Sequence, residues 1–266
     1  LKMYRKVPAE QSRLDFQKIF CSKIMINTLN ETHLHKTLKR IYANKTEGSV
    51  MEQPAEGYIA DIIRPDGEII EIQTGSLSSL LPKITKYLAA KRNVTVVYPL
   101  AAKKYIETKK DGCLVSRRKS PVSKNIYSMF KELTGLTSVL LDPKFTLIVH
   151  ESTITEEREQ TELCVQSKNN RRRFRKNWLK TGKRLEDTGT EHIFNGTRSY
   201  LNLIPKDLPQ MFCVKDLLLC AKKNIPGIKE NEIRLFVWVC IKTGLIEFIK
   251  KNGRQNIYRI KSGLQE

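Results

Sequence analysis

The sequence predicts an α/β protein with a smaller α+β domain at its carboxyl end. The first observation is the order of elements between residues 30 and 100, where a helix, a strand pair, a second helix and an apolar strand follow one another. The second is the carboxyl-terminal stretch, in which two helical segments precede a basic strand pair. Such alternation is typical of a sheet covered by helices.

The strand pair at residues 61–73 is the most informative element. A Pro-Asp-Gly turn at 65–67 joins two strands through a three-residue loop, which sets residue 62 opposite 70 and residue 61 opposite 71. Asp61 and Glu71 therefore face each other, and Gln73 shares their side of the sheet. The other side is apolar and carries Ile62, Ile70 and Ile72.

The remaining elements follow from hydrophobic spacing and turn residues. Helices are predicted at 14–25, 30–42 with Asn30 as cap, 76–90, 123–141 with a bend at Gly135, 214–223 and 229–243. The third of these starts at 78 or 79 if Pro82 is to fall in its first turn. Strands are predicted at 93–100, 145–150, 245–249 and 256–260, and a second hairpin at 105–119. We divide the chain into an α/β domain at 1–160, a basic linker at 161–195 and a final domain at 196–266.

Charge and cysteine content narrow the functional class. The chain has 48 basic and 28 acidic residues, a formal net charge of +20 that suits a polyanion, most often nucleic acid. Its six cysteines form no Cys-x-x-Cys pair, so we expect neither a zinc ribbon nor a disulfide framework. The longest apolar run, 235–241, is too short to span a bilayer. We therefore expect a cytoplasmic protein without a membrane partner.

Two opposed carboxylates on neighbouring strands need an explanation. Like charges placed directly across a strand pair are destabilising, and a divalent cation between Asp61 and Glu71 would reverse the sign of that interaction. The alternative is that both side chains are solvated on an exposed sheet face. The four histidines have no partner at metal-ligand spacing, which argues against a zinc site.

The pattern Asp61…Glu71-x-Gln73 on a hairpin that follows a helix resembles the PD-(D/E)XK nuclease superfamily. That resemblance covers about residues 25–100 and implies a restriction-endonuclease-like mixed sheet flanked by helices. It implies Mg²⁺ or Mn²⁺ held by Asp61, Glu71 and the carbonyl of Ile72. The chain departs from the family at Gln73, which stands where most members have lysine.

The resemblance also assigns three supporting residues. Gln73 would orient the attacking water, and Lys83 of the following helix, or less favourably Lys86, would supply the missing positive charge. Glu31 would be a further acid, although an acid there also suits a helix amino terminus. The string at 71–75, followed by Lys83 and by the Val-Tyr-Pro at 97–99, is also similar to an uncharacterised prokaryotic family of predicted nucleases whose chain continues through a Trp-containing basic stretch into a winged-helix-like end.

Two basic segments are candidates for nucleic-acid contact. The stretch 168–184 has nine basic residues and no acidic one, with Phe174 and Trp178 available to stack on bases. Its alternative is a solubilising linker. The candidate contact residues are Arg171, Arg172, Arg173, Arg175, Lys176 and Trp178, together with Lys250, Lys251 and Arg254 of the carboxyl-terminal hairpin.

These expectations combine into a metal-dependent endonuclease, a phosphodiester hydrolase that binds DNA more readily than RNA. A homodimer is compatible with the sequence. One alternative is a catalytically silent nuclease fold that acts as a DNA-binding regulator or interaction scaffold. A second is a protein-interaction module of a defence system.

Overall fold

The computed structural model describes residues 32–261 as a mixed α/β protein with a curled mixed sheet flanked by helices. The helices are α1 (His33–Asn44), α2 (Leu81–Ala89), α3 (Phe130–Leu133), α4 (Gly196–Leu201), α5 (Val214–Asn224) and α6 (Glu230–Lys242). The strands are β1 (Val50–Ala55), β2 (Tyr58–Ile63), β3 (Ile69–Ile72), β4 (Val94–Lys110), β5 (Cys113–Lys119), β6 (Phe145–Val165), β7 (Lys176–Asp187), β8 (Glu191–Asn195), β9 (Met211–Phe212), β10 (Ile246–Asn252) and β11 (Gln255–Ile260). The helix predicted at 14–25, and Glu31, lie outside the described residues.

The main sheet has eight strands in the order β1-β2-β3-β4-β6-β7, with β5 beside β4 and β8 beside β6. β3, β4 and β6 run parallel to one another, and the other pairs are antiparallel. The predicted hairpin register is confirmed, because Ile62 pairs with Ile70. Gly67 in its turn has a φ of 84°, a conformation that favours glycine.

β4 and β6 are much longer than the sequence indicated. Their predicted ends were 100 and 150, whereas they continue to Lys110 and Val165. Their first halves lie in the core, and their second halves extend beyond it between β5 and β7. These second halves are rich in charged residues, so no apolar run marks them, and cross-strand ion pairs take the place of apolar contacts.

Helices cover both faces of the sheet. On one face Leu34, Leu38 and Tyr42 of α1 pack against Ile62 and Ile70, which confirms the predicted apolar side of the hairpin. On the other face α2, α3, α5 and α6 share one continuous buried cluster with the strands. The amino-terminal cap of α1 is Thr32 rather than Asn30, since its hydroxyl accepts the backbone N–H of His35.

The carboxyl-terminal segment contains α5, α6 and a three-stranded sheet in the order β10-β11-β9. Phe236 of α6 packs edge-on against Phe130 of α3, with ring centroids 4.8 Å apart. Both predicted helices and the hairpin are present. The hairpin turns one residue later than expected, because Asn252 pairs with Gln255 and the loop residues are Gly253 and Arg254.

Two further regions differ from the sequence prediction. Much of the stretch expected to be a linker at 161–195 forms β7 and β8, which pair with the second and first halves of β6. Consecutive basic residues concealed the strand pattern there. The helix predicted at 123–141 is reduced to a 3₁₀ turn at Ile126–Met129 and the short α3. A Cβ at Gly135 would lie 2.5 Å from the Cβ of Ser78, so the chain turns there against the segment before α2.

α2 begins later than predicted. A 3₁₀ turn at Leu77–Leu80 precedes it, and Pro82 lies in its first turn as expected. Between residues 32 and 261, no helix has the length and apolar character required to cross a bilayer.

Candidate functional site

Asp61 lies where β2 and β3 part. The strand pairing of this hairpin reaches Ile62–Ile70, and beyond it the Asp61 carboxylate replaces a backbone partner. Its Oδ2 accepts the backbone N–H of Ile72 at 2.8 Å and lies 3.3 Å from Nε2 of His35 on α1. Within residues 32–261, Oδ1 of Asp61 makes no hydrogen bond. One carboxylate oxygen is therefore committed to the fold and the other is available to a ligand.

Glu71 lies at the end of β3 and is 1% exposed. Its Oε2 accepts from Nζ of Lys83 at 2.6 Å, and the hydroxyl of Tyr87 lies 3.4 Å from its Oε1. Lys83 also donates to the backbone carbonyl of Ile59 at 2.7 Å. α2 thus brings Lys83 to the carboxylates. Lys86 of the same helix instead lies over the ring of Tyr58 on β2.

The two carboxyl groups differ in pKa. Burial raises the pKa of Glu71 to about 7, and the negative charge of Asp61 adds to the rise that Lys83 opposes. Burial acts on Asp61 in the same direction, but the hydrogen bond and charge of His35, the Ile72 N–H and the charge of Lys83 together hold its pKa below the ordinary value. The pair therefore contains one firmly ionised carboxylate and one that is poorly compensated.

Gln73 is occupied by its own loop. Its Nε2 donates to Oγ of Ser79 at 3.0 Å, and its Oε1 accepts the N–H of Gly75 at 3.2 Å. These bonds shape the segment that leads from β3 to α2. Ile72 contributes its N–H to Asp61, while the metal-ligand role of its carbonyl stays a prediction.

His35 is the site neighbour that the sequence analysis missed. The histidines were assessed only as zinc ligands and for catalysis, and within the described range no group of three or more His, Cys, Asp or Glu side chains converges on a metal position. His35 instead contacts Asp61 across 26 positions of sequence. The available signal was its place beside Leu34, one position away from the buried stripe of α1.

The predicted nucleic-acid residues lie in two places. The first is the start of β7, where the guanidinium carbons of Arg158 on β6 and of Arg172 lie 3.6 and 4.1 Å from the centroid of the Trp178 ring, so the ring is covered by protein cations. This arrangement corrects the expectation that Trp178 stacks freely on bases. Arg171, Arg173, Arg175 and Lys176 are exposed, as are Lys250, Lys251 and Arg254 at the β10–β11 hairpin.

Comparison with known proteins gives a consistent boundary for the main sheet. A family model described as "Domain of unknown function (DUF8091)" matches residues 32–195, from the cap of α1 to the end of β8. An uncharacterized protein of Treponema pallidum (strain Nichols) is 32% identical over 238 residues, which cover 88% of this chain and 87% of that protein. No solved structure matches the chain.

Proposed function

The chain belongs to the family described as "Domain of unknown function (DUF8091)", and we propose that it is a metal-dependent nuclease of the PD-(D/E)XK type, a hydrolase of phosphodiester bonds. The observation that carries the proposal is the meeting of Asp61, Glu71 and Lys83 at the parted ends of β2 and β3. Two acids and one lysine are the residue types that the sequence pattern required, and they come from three different elements.

The donor set suits magnesium or manganese. Mg²⁺ takes oxygen ligands and commonly uses only one or two carboxylates, with water and substrate oxygens in the other positions. Asp61 offers its unbonded Oδ1, and Glu71 offers Oε1, whose contact with Tyr87 is long at 3.4 Å.

Each protein group then has a definable task. When bound, the cation would neutralise charge on the scissile phosphate and lower the pKa of the attacking water. Asp61 is fixed by Ile72 and His35, so its free oxygen keeps one direction. Lys83 supplies the positive charge that Gln73 lacks, and its bond to the Ile59 carbonyl keeps the ammonium beside Glu71. Gln73 maintains the loop between β3 and α2 through hydrogen bonds at both ends of its side-chain amide. Its role in orienting the attacking water stays a prediction.

The carboxyl-terminal segment completes the proposal as a winged-helix-like module. The buried residues of α6 face the core, so this helix is unsuited to reading a DNA groove. The hairpin of β10 and β11 remains exposed and carries Lys250, Lys251 and Arg254, which would contact phosphates as a wing. DNA is the favoured polymer, and the contact is sequence-independent.

The test is calorimetric titration of Mn²⁺ and Mg²⁺ into the full chain, beside Asp61→Asn and Glu71→Gln. We expect binding by the wild type and its loss in both variants. Glu47→Gln, an exposed acid in the loop after α1, is the matched control and should bind normally. Cleavage of plasmid, single-stranded DNA and RNA should require the same two acids, and equal cleavage by wild type and Asp61→Asn would reject the proposal.

A second candidate is a catalytically silent nuclease fold that binds DNA as a regulator or scaffold. It is favoured by the ion pair between Lys83 and Glu71, which satisfies the acid without a metal, and by the hydrogen bonds that hold both ends of the Gln73 amide within its loop. This candidate would be supported over the enzyme if the chain bound DNA without a metal, gave no heat of binding on titration with Mn²⁺ and cleaved no nucleic acid.

A further inference from the structure

A second charged cluster lies beside the candidate metal centre and has the opposite composition. It is formed by Lys104, Arg158 and Lys180, which pair with the carboxylate of Glu156, and by Lys183 and Lys124, which lie close enough for their charges to interact with that group. We call this set the lysine cluster. Five cations around one anion leave a formal excess of four positive charges in a partly buried space.

The strands of the second half of the sheet assemble the lysine cluster. Glu156 of β6 pairs in register with Lys183 of β7, and its Oε2 accepts from Nζ of Lys104 on β4 at 2.6 Å. Its Oε1 accepts from Nε and Nη2 of Arg158 at 2.8 and 2.6 Å. Nζ of Lys180 is more distant, 3.6 Å from Oε2. Both oxygens of Glu156 are thereby occupied, while its charge still acts on Lys183 through space.

Lys183 connects the lysine cluster to the candidate metal centre. Its Nζ lies 3.5 Å from the backbone carbonyl of Thr74, which is three positions after Glu71 and next to Gln73. A carbonyl oxygen at that distance is a weak partner for an ammonium group. Burial lowers the pKa of Lys183 to about 8, and the charges of Lys180, Lys104 and Lys124 lower it further against the opposing effect of Glu156. Excess positive charge is therefore held at this point against its own repulsion.

We propose that the lysine cluster binds the phosphodiester backbone of the nucleic-acid strand and carries it past Thr74 to the carboxylates. The inference rests on the proposed function and names the path of the substrate. The five cations share the negative charge of Glu156, and a phosphate would bring them several acceptor oxygens and a further negative charge. Lysine acts here as a mobile point charge, which suits a backbone contact that reads no base.

The path differs from the one that the basic sequence run suggested. Trp178 is five residues before Lys183 on β7, or about 16 Å along the strand, and its ring is covered by arginines. The exposed arginines at 171, 173 and 175 precede β7 and lie still further from Lys183 along the chain. Lys183, near the carboxyl end of the basic run, and Lys104 are thus better placed than those arginines to hold the phosphate next to the scissile bond.

The test is binding of fluorescein-labelled oligothymidylate, oligouridylate and a DNA duplex by the full chain in EDTA, across a range of salt concentrations. We expect Lys183→Gln to weaken binding and to reduce the slope of log affinity against log salt by about 0.7 for a single strand, and Lys104→Gln/Lys183→Gln to reduce it by about twice that amount. Lys183→Arg should retain the wild-type slope, because it keeps the charge. Lys215→Gln, an exposed lysine of α5, is the control that should change nothing.

Unchanged affinity and salt slope in Lys183→Gln and in the double variant, with melting temperatures at or above the wild-type value, would overturn the inference. Because EDTA removes every divalent cation, the result does not depend on metal binding. The lysine variants could show a reduced slope of log affinity against log salt while the wild type binds no Mn²⁺. That result would support phosphate binding by the lysine cluster and reject the proposed nuclease activity.

Discussion

Glu71 and Glu156 are two buried acids that each pair with a lysine, yet their pKa values shift in opposite directions. Each accepts a lysine ammonium at 2.6 Å, from Lys83 and from Lys104. Burial raises the pKa of both, yet the pKa of Glu71 rises to about 7 whereas hydrogen bonds from Lys104 and Arg158 bring that of Glu156 down to about 2. A single ion pair therefore does not decide the charge state of a buried acid.

The difference comes from the deeper burial of Glu71 and from the charges around each acid. Glu71 has another acid, Asp61, as its neighbour, while Glu156 has further cations. The region around Asp61 and Glu71 thus has too little positive charge for its two carboxylates. The adjoining lysine cluster has too little negative charge for its cations. A divalent cation would relieve the first and a phosphate the second, and a nucleic-acid substrate with its metal supplies both.

The largest expected effect concerns Lys83. Under the proposed function, Lys83→Ala should slow cleavage by about a thousandfold, since it removes a charge that acts on the reacting phosphate. Mn²⁺ affinity should stay equal or increase, because the ammonium no longer occupies Oε2 of Glu71. Steady-state cleavage and calorimetry of the same preparation measure both quantities.

A second substitution sharpens that result. Gln73→Lys in the Lys83→Ala background returns a lysine to the place that the superfamily pattern gives it, and we expect partial recovery of cleavage. Recovery would show that a charge, rather than the position of α2, was lost. A Lys83→Ala variant as active as the wild type would remove Lys83 from the mechanism.

The next effect concerns stability and its dependence on pH. Glu156→Gln should reduce the free energy of unfolding at pH 7 by about 3 kcal/mol, because a carboxylate with a depressed pKa stabilises the ionised native state. The sign follows from proton binding: the unfolded chain takes up this proton near pH 4.5, while the native protein holds it off until about pH 2. The deficit of the variant should therefore shrink as the pH falls from 4.5 toward 2.

Urea unfolding at several pH values measures this deficit. Glu162→Gln, an exposed acid on the same strand β6, should show no comparable loss. A pH-independent deficit would mean that Glu156 contributes through packing rather than through charge.

The smallest effect has the opposite sign. Lys183→Gln should stabilise the protein by about 1 kcal/mol at pH 7, less than the full pKa shift implies because the side chain is partly solvated. The native state releases the Lys183 proton near pH 8, before the unfolded chain does so near 10.5, so the gain should fade as the pH rises through that interval. Thermal unfolding at pH 7 and pH 10 tests it, and a destabilised variant at pH 7 would contradict the charge excess.

The sequence was sufficient where the determinants were local. The turn at 65–67 fixed the register of the hairpin, in which Ile62 pairs with Ile70 as predicted, and Asp61 and Glu71 follow directly after the last pair of β2 and β3. The prediction that Lys83 lies near Glu71 required only that a helix follows β3 directly. The observed contact of Lys83 with Glu71 agrees with that expectation.

The missed features depend on distant segments. His35 reaches Asp61 from another helix, and Lys183 reaches Thr74 across 109 positions of sequence. The sequence of β7 indicates a linker because strand periodicity is read from apolar residues, whereas Lys180 contacts an acid of β6 and Lys183 a carbonyl of the loop after β3. Neither the partner nor the pairing can be seen in the run itself.

The parallel pairing of β4 with β6 has a consequence for how the chain acquires its structure. The two strands pair from Val94–Phe145 to Lys109–Glu159, and a parallel pair cannot close until the intervening segment has been made. During synthesis β4 therefore leaves the ribosome with one long edge uncovered until residues 145–159 follow. Contacts of this sequence separation form slowly, so refolding should be slow, and the nascent chain should be most prone to aggregate in that interval.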